Sequence, residues 1–438
     1  MKNVLRWAAR GFMWLCTAVV VLAGLGYVGG QVVGIPVRPT YETVAHAALP
    51  GEQEPAPPLP AAAADSARRA AGALADRSAA TAPVRNVIFF VGDGMGLSML
   101  STVDALAERR LAMSRMPVTG LVRTHSLTSP ITDSGAGATA MATGFKTTNH
   151  TIGMTPDGQK RPSLLEVAAR RGMATGVVTT SYLTDATPAG FTAHTPSRDD
   201  YDAIARQMIA GRADVLLGGH QPDVFTDRLR RVAQQQGFAV DSSLAEFAPA
   251  PAPAAPGDTA ARWLGLFPER EGRFPTMYGP PLARMVEAAV QQLQRRSDDG
   301  FFLVAEQEGT DAAGHTNRLG ATRRYTRELD RAVERALRFA ARAGSTLVVV
   351  TADHDTGGLH ITEGAYETGR VTARWTNFDH TAAWVPLLAY GPGAQRFTGV
   401  QENTDLPVTM ARLLGLKGVL DGGGSGPQAA AVDRRSGR

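Results

Sequence analysis

Four short apolar runs constrain the fold of this 438-residue chain more than any other feature. They are VIFFV at residues 87–91, GVVTT at 176–180, FFLV at 301–304 and TLVVV at 346–350. Runs of this length, rich in β-branched and aromatic residues, are typical of buried parallel strands. Polar clusters follow each run, and in open α/β sheets ligands bind beyond the carboxyl ends of the strands. The four runs therefore predict one sheet with a functional site along one edge.

Helix-like segments lie among these runs, at residues 163–170, 282–294 and 323–343. Their apolar residues recur every three or four positions, which suits helices packed on the faces of a sheet. The alternation of strands and helices predicts a three-layer α/β/α sandwich with a largely parallel central sheet. We assign this domain to residues 85–418.

The N-terminal segment has the features of a membrane anchor. Lys2, Arg6 and Arg10 precede residues 11–37, which carry no charged side chain and could cross about 30 Å of hydrocarbon. We predict an uncleaved anchor with its positive flank in the cytoplasm, and an exported domain in the periplasm or outside the cell. A cleaved signal peptide is the alternative. The only cysteine, Cys16, lies in this segment, so no intramolecular disulfide can form.

The composition of the flanking segments predicts little ordered structure. Residues 38–84 are rich in proline and alanine and predict a semi-flexible spacer. Residues 419–438 are rich in glycine and predict a disordered tail. The formal net charge of +4 is mild, so we infer no binding to nucleic acid.

Residues of metal-ligand type follow the predicted strands. Asp311 and His315 are four positions apart, a spacing that suits zinc if the backbone forms one helical turn. For any single pair, ordinary solvated side chains are the simpler explanation, but several strand ends carry such groups. The candidates near the strand ends and farther along the chain are Asp93, Asp185, Thr187, Glu306, Asp353, His354 and His380. Together they predict a metal-dependent hydrolase.

A serine precedes an alanine-rich segment that ends at Gly144. The segment predicts a helix that begins near Ser134 and ends at the glycine. Ser134 could serve only as the N-cap of this helix. The start of a helix also suits a phosphate or an oxyanion. With metal ligands nearby, Ser134 is the candidate nucleophile.

These segments, taken in order, resemble the motifs of the alkaline phosphatase family. They are DGMG at 93–96, TDS at 132–134, DATP at 185–188, HTPSR at 194–198, residues 306–315, ADHDTGG at 352–358 and DHT at 379–381. The resemblance covers about residues 85–416. It implies that phosphate monoesters are hydrolysed through a phosphoserine formed on Ser134, and it is compatible with a homodimer.

The resemblance also implies a role for each candidate residue. One zinc ion would be held by Asp311, His315 and His380, and a second by Asp353, His354 and Asp93. Asp93 would also bridge to a magnesium ion held by Thr187 and Glu306, with Asp185 just outside these ligands. Arg198 would bind two oxygens of the phosphate with its planar fork of donors.

The chain departs from the family pattern near Asp311. Some members have Lys, His or Trp immediately after this aspartate, where this chain has Ala312. Gln307 stands where glycine is usual, and Glu308 is an alternative to Glu306 as the magnesium ligand. We prefer Glu306, because its offset from Asp311 matches the family.

Other functions are consistent with parts of the sequence. A metal-dependent phosphodiesterase of the same superfamily is one alternative, because the breadth of the pocket decides between monoesters and diesters. A sulfatase would need a proline and arginine signature after the nucleophile, which Ser134 lacks. A membrane-anchored binding protein with structural metals is the alternative from another functional class.

Overall fold

The computed structural model describes residues 41–45, 82–242, 261–270, 277–365, 370–416 and 420. These residues belong to one compact unit that begins at Tyr41. The predicted anchor at residues 1–37, most of the spacer and all but one residue of the tail lie outside the described residues. Within the described part of the chain, no helix has the length and apolar character needed to span a membrane. Membrane anchoring, export and the homodimer remain predictions from the sequence.

The strands of the described chain begin with a short strand near the N-terminus and continue through the domain. They are β1 (Tyr41–Ala45), β2 (Asn86–Gly92), β3 (Val118–Arg123), β4 (Ala174–Tyr182), β5 (Val215–Gly219), β6 (Phe238–Asp241), β7 (Arg262–Phe267), β8 (Phe301–Gln307), β9 (Thr346–Thr351), β10 (Asp355–Thr356), β11 (His360–Ala365), β12 (Arg370–Arg374), β13 (His380–Thr381), β14 (Val385–Tyr390) and β15 (Gly399–Glu402).

The helices of the described chain alternate with these strands. They are α1 (Leu97–Ala105), α2 (Ser134–Thr143), α3 (Leu164–Arg170), α4 (Ala186–Thr192), α5 (Tyr201–Ala210), α6 (Asp227–Gln235), α7 (Leu282–Arg296), α8 (Gly309–His315), α9 (Leu319–Ala343) and α10 (Asp405–Leu413).

The central sheet has ten strands in the order β15-β3-β14-β9-β2-β8-β4-β5-β7-β6. Its middle strands pair in parallel, from β9 through β2, β8 and β4 to β5. Only β14 runs against its neighbours, pairing antiparallel with both β3 and β9. The prediction of a largely parallel sheet is therefore confirmed. The four apolar runs become β2, β4, β8 and β9, all in the middle of the sheet.

Both faces of the sheet are covered by helices, which explains why its central strands are apolar throughout. On one face α1, α7 and α9 pack together, and α2, α3, α4 and α5 form a layer on the other. Phe89 and Phe90 point to opposite faces because they are consecutive strand residues, and both are fully buried. This arrangement confirms the predicted three-layer sandwich.

The predicted helices are present with small shifts of their ends. The segment 163–170 forms α3, whose first turn is closed by a capping box between Ser163 and Glu166. The segments 282–294 and 323–343 form α7 and α9, which begins earlier than predicted, at Leu319.

One strand lies inside the segment predicted as a spacer. Residues 41–45, with the sequence YETVA, form β1 and pair antiparallel with β12, which in turn pairs with β11. Tyr41, Thr43 and Val44 are residue types that are enriched in strands. The surrounding proline-rich composition concealed this short pattern.

Gly300 follows the turn at residues 298–299 and directly precedes β8, and it offers a test of the fold. Its φ is +94°, and an added Cβ would overlap the carbonyl oxygen of Arg85. We expect Gly300→Ala to lower the free energy of unfolding by roughly 2 kcal/mol or more, measured by urea denaturation. The matched control is Gly320→Ala in α9, where an added Cβ meets open space. This change should leave stability unchanged or raise it by up to about 1 kcal/mol. Equal effects at the two positions would contradict the assignment of strain to Gly300.

Candidate metal centre and nucleophile

The carboxyl ends of four neighbouring strands bring the predicted site residues together. The register pairs Val91 of β2 with Glu306 of β8 and with Thr351 of β9. Asp93 and Asp353 follow two residues later in each chain segment, so both emerge at the same edge of the sheet. The next strand, β4, ends at Tyr182, shortly before Asp185 and Thr187.

The first group of ligand atoms comes from Asp311, His315 and His380, which lie within 4.8 Å of one another. Helix α8 places Asp311 Oδ2 at 3.2 Å from His315 Nε2, as the predicted helical turn requires. The Nε2 atoms of His315 and His380 are 3.2 Å apart. Each Nδ1 is engaged by a backbone carbonyl, that of Phe378 at 2.7 Å and that of Thr132 at 2.9 Å. The rings are therefore oriented with Nε2 directed to a common point, as in zinc sites.

The second group consists of Asp93, Asp353 and His354. His354 Nε2 lies 3.1 Å from Asp353 Oδ2 and 3.5 Å from Asp93 Oδ1. All three residues are at most 2% exposed, yet neither of these carboxylate oxygens has a hydrogen-bond partner. One imidazole between two buried carboxylates leaves negative charge in excess, which is strongly unfavourable away from water. One imidazole with two such carboxylates therefore fits a divalent cation of the zinc type.

The third group contains only oxygen ligands, from Asp93, Glu306 and Glu308. Thr187 Oγ1 lies 3.5 Å from Asp93 Oδ2, and the Thr179 hydroxyl donates a hydrogen bond to Glu306. Hard cations such as Mg²⁺ prefer carboxylate and hydroxyl oxygens. The donor set thus fits magnesium, and it contains both glutamates that the sequence left as alternatives.

The charges of these groups show why the site needs cations. Burial, and next the charge of Asp353, raise the pKa of Asp93 well above its usual value. Burial raises the pKa of Glu306 to about 8. The hydrogen bond with Asp311 raises the pKa of His315 to about 9. Without metal ions, bound protons therefore offset part of the negative charge of the site. Bound divalent ions would offset this charge instead.

Ser134 is the first residue of α2, and its Oγ lies 3.3 Å from His354 Nε2. The N-cap is the preceding residue, Asp133, whose Oδ1 accepts a hydrogen bond from the amide of Ala136 at 2.9 Å. The alternative that Ser134 serves only as the cap is therefore wrong. The serine hydroxyl is left to face the second group of ligands.

Arg198 is held beside Ser134 by two carboxylates. Its Nη1 donates to Asp133 Oδ2 at 3.3 Å, and its Nη2 donates to Asp185 Oδ1 at 3.1 Å. The hydroxyl of Ser181 donates to the other oxygen of Asp185 at 2.7 Å. Asp133 is the residue that the sequence analysis missed. Its place before an alanine-rich helix is a capping signal that could have identified it.

The site thus joins a helix-start serine, an arginine and three candidate cation groups at the carboxyl edge of a parallel sheet. These features define a class of metal-dependent hydrolases that act on phosphate esters.

Comparison with known proteins gives the family. The sequence model of the family described as alkaline phosphatase matches residues 84–246 and 255–373. The alkaline phosphatase of Escherichia coli (strain K12) is 31% identical over 416 residues, covering 76% of this chain and 87% of that protein. The streptomycin-6-phosphate phosphatase of Streptomyces griseus is 34% identical over 430 residues, covering 79% and 94%. The solved alkaline phosphatase of the Antarctic bacterium TAB5 has a TM-score of 0.68 and 28% identity, covering 77% of this chain and 99% of that one.

The chain belongs to the alkaline phosphatase family. It is an enzyme, a phosphoric monoester hydrolase of a metal-dependent family, which confirms the predicted family and class of activity. The alternative of a binding protein with structural metals is therefore wrong.

Asp93 belongs to both the second and the third group of ligands. Its removal should therefore stabilise the metal-free enzyme and destabilise the metal-loaded enzyme. A carboxyl whose pKa is raised on folding destabilises the folded state at neutral pH, and this cost disappears in acid. In metal-free enzyme at pH 8, we expect Asp93→Asn to raise the melting temperature by roughly a few degrees. With zinc and magnesium present, the parent should become the more stable of the two.

The control for this comparison is Asp202→Asn, which removes an exposed carboxylate paired with Arg206. Its melting temperature should follow the parent within about a degree in both conditions. A metal-free Asp93→Asn variant less stable than its parent would contradict the excess of buried negative charge.

Proposed function

We propose that the enzyme transfers the phosphoryl group of a phosphate monoester to Ser134, and that water then hydrolyses the phosphoserine. The proposed zinc ligands are Asp311, His315 and His380 for one ion and Asp93, Asp353 and His354 for the other; Asp93, Thr187 and Glu306 are the proposed magnesium ligands. The observation that carries the proposal is the 3.3 Å distance from Ser134 Oγ to Nε2 of His354. It brings a nucleophile of suitable type to the edge of a candidate zinc site.

Ser134 has an environment that favours attack on phosphorus. It lies at the start of a ten-residue helix, whose dipole has its positive end there. When bound, the ions supply Lewis-acid stabilisation of the negative charge that develops on the serine and leaving oxygens. In the first step the bond from Ser134 Oγ to phosphorus forms as the bond to the leaving alcohol breaks. In the second, water attacks the same phosphorus and releases the serine hydroxyl.

The close packing of α2 holds Ser134 against the metal ligands. An added Cβ on Gly137, three residues along the helix, would lie 3.1 Å from the Cβ of Asp353. The absence of a side chain at this position therefore lets the helix approach the segment that carries Asp353 and His354. The nucleophile is held by the same packing that orders these ligands.

Arg198 is the proposed binding group for the phosphate. The carboxylates of Asp133 and Asp185 pair with Arg198 and fix the plane of its guanidinium. A planar fork of donors can contact two oxygens of a phosphate at once. Three divalent ions would bring six positive charges against the four carboxylates of the proposed ligand set, Asp93, Glu306, Asp311 and Asp353. This excess of positive charge favours a dianionic monoester over a singly charged diester.

The substitution Ser134→Ala tests the nucleophile. We expect kcat for p-nitrophenyl phosphate to fall by about a thousandfold or more, because no covalent intermediate can form. The metal content, measured by plasma mass spectrometry, and the melting temperature should stay close to those of the parent. Ser101→Ala is the matched control, since Ser101 is exposed on α1 and donates only to the carbonyl of Ser98.

Two outcomes would count against the phosphoserine. Unchanged turnover in Ser134→Ala would reject Ser134 as the nucleophile. Turnover lost together with bound metal would show that the serine acts on the metal centre. Hydrolysis of bis-p-nitrophenyl phosphate faster than of the monoester would instead favour the phosphodiesterase alternative.

A further inference from the structure

Glu308 is an acidic residue at the metal centre that the proposed function leaves without a role. One carboxylate oxygen of Glu308, one of Glu306 and one of Asp93 lie within 4.8 Å of one another. We propose that Glu308 is a direct ligand of the third cation, so that three carboxylates hold this ion. The inference rests on the proposed metal centre and adds a residue to the ligands that the resemblance implies.

The backbone of Glu308 is fixed independently of its carboxylate. The residue lies where β8 meets α8, and its carbonyl accepts a hydrogen bond from the amide of Asp311 at 3.0 Å. Its own amide donates to Thr180 Oγ1 at 3.1 Å. The side chain does not cap the helix that follows. The carboxylate therefore has no capping role at the helix end. One of its oxygens lies instead with those of Asp93 and Glu306.

No protein cation neutralises this carboxylate. Among the residues that the structure describes, no hydrogen bond or ion pair engages the Glu308 side chain. Arg198 is the nearby positive charge that acts on it, but its terminal nitrogens donate to Asp133 and Asp185. Within the described chain, the basic groups near these three carboxylates, His354 beside Asp93 and Arg198 near Glu308, are each shared with other carboxylates.

The other members of the group point to a missing cation as well. Asp93 is 2% exposed, and its Oδ2, the oxygen on the side of Thr187, receives only a long 3.5 Å hydrogen bond from the neutral Thr187 hydroxyl. Glu306 is 1% exposed and receives a hydrogen bond only from neutral hydroxyl groups. Carboxylates this close and this buried are unfavourable unless they take up protons or bind a cation between them.

The donor set identifies the class of ion. Three carboxylates and Thr187 Oγ1 offer four oxygen donors, whereas Asp93, Thr187 and Glu306 alone offer three. Mg²⁺ and Mn²⁺ take about six oxygens and Ca²⁺ takes about six to eight. A hard divalent cation would therefore keep fewer waters here, and the extra negative charge should make it bind more tightly.

The test measures binding of the third ion rather than turnover. Mn²⁺ is titrated into zinc-loaded enzyme, and free Mn²⁺ is followed by electron paramagnetic resonance. We expect Glu308→Gln to weaken Mn²⁺ binding by about tenfold or more, since even groups outside the ligand shell contribute that much. The zinc content should remain two ions per chain. Glu287→Gln is the control, because Glu287 is exposed on α7 and pairs with Arg335 at 3.3 Å.

A second variant separates direct ligation from a charge effect at a distance. Glu308→Asp keeps the negative charge but withdraws the carboxylate by about 1.5 Å, one carbon–carbon bond. A ligand at this position should lose affinity for Mn²⁺ in both variants. Unchanged affinity in both, or a loss in the Gln variant alone, would overturn the proposal.

Two kinds of measurement separate the role of Glu308 in metal binding from the proposed reaction at Ser134. Turnover of p-nitrophenyl phosphate and incorporation of phosphate into Ser134 are measured in the same parent enzyme. A parent that forms no phosphoserine would contradict the proposed reaction. The effect of Glu308 on Mn²⁺ binding would be judged separately, from the titration alone.

Discussion

The parallel pairing of β9, β2, β8 and β4 is the constraint on which the rest of the site depends. Because their carboxyl ends meet at one edge, the side chains that follow them converge. Asp93, Glu306 and Asp353 are brought together at the base of the site, almost completely shielded from water. The concentration of buried negative charge is unfavourable by itself, so the same arrangement that creates the site also requires cations. Metal binding is thereby coupled to the stability of the fold.

Asp133 contacts both the start of α2 and Arg198, the proposed phosphate-binding residue. One of its oxygens caps the helix and the other accepts from Arg198. The cap frees the hydroxyl of Ser134 for chemistry, while the second contact orients the guanidinium beside it. A single carboxylate thus contacts both the helix that begins with the proposed nucleophile and the proposed phosphate-binding group, which are far apart in the sequence.

The sequence predicted the parts of the structure that depend on local pattern. Continuous apolar runs identify β2, β4, β8 and β9, because buried parallel strands have no polar face. The four-residue offset of Asp311 and His315 survives as one turn of α8. The contact of Arg198 with Asp133 spans 65 residues and depends on tertiary packing, so no local pattern predicts it. The short strand β1 was missed for a related reason: its partner, β12, is distant, and its neighbours are rich in proline. The resemblance supplied the assignment of ligands to separate ions, whereas the structure added Glu308 to the third group.

Anomalous X-ray diffraction at the zinc edge, from crystals of the zinc-loaded enzyme, tests the central claim most directly. The account predicts two zinc positions, each about 2.0–2.1 Å from the ligating histidine nitrogens. One should lie among Asp311, His315 and His380, and the other among Asp93, Asp353 and His354, next to Ser134 Oγ. Zinc bound elsewhere on the surface, with neither position occupied, would contradict the account.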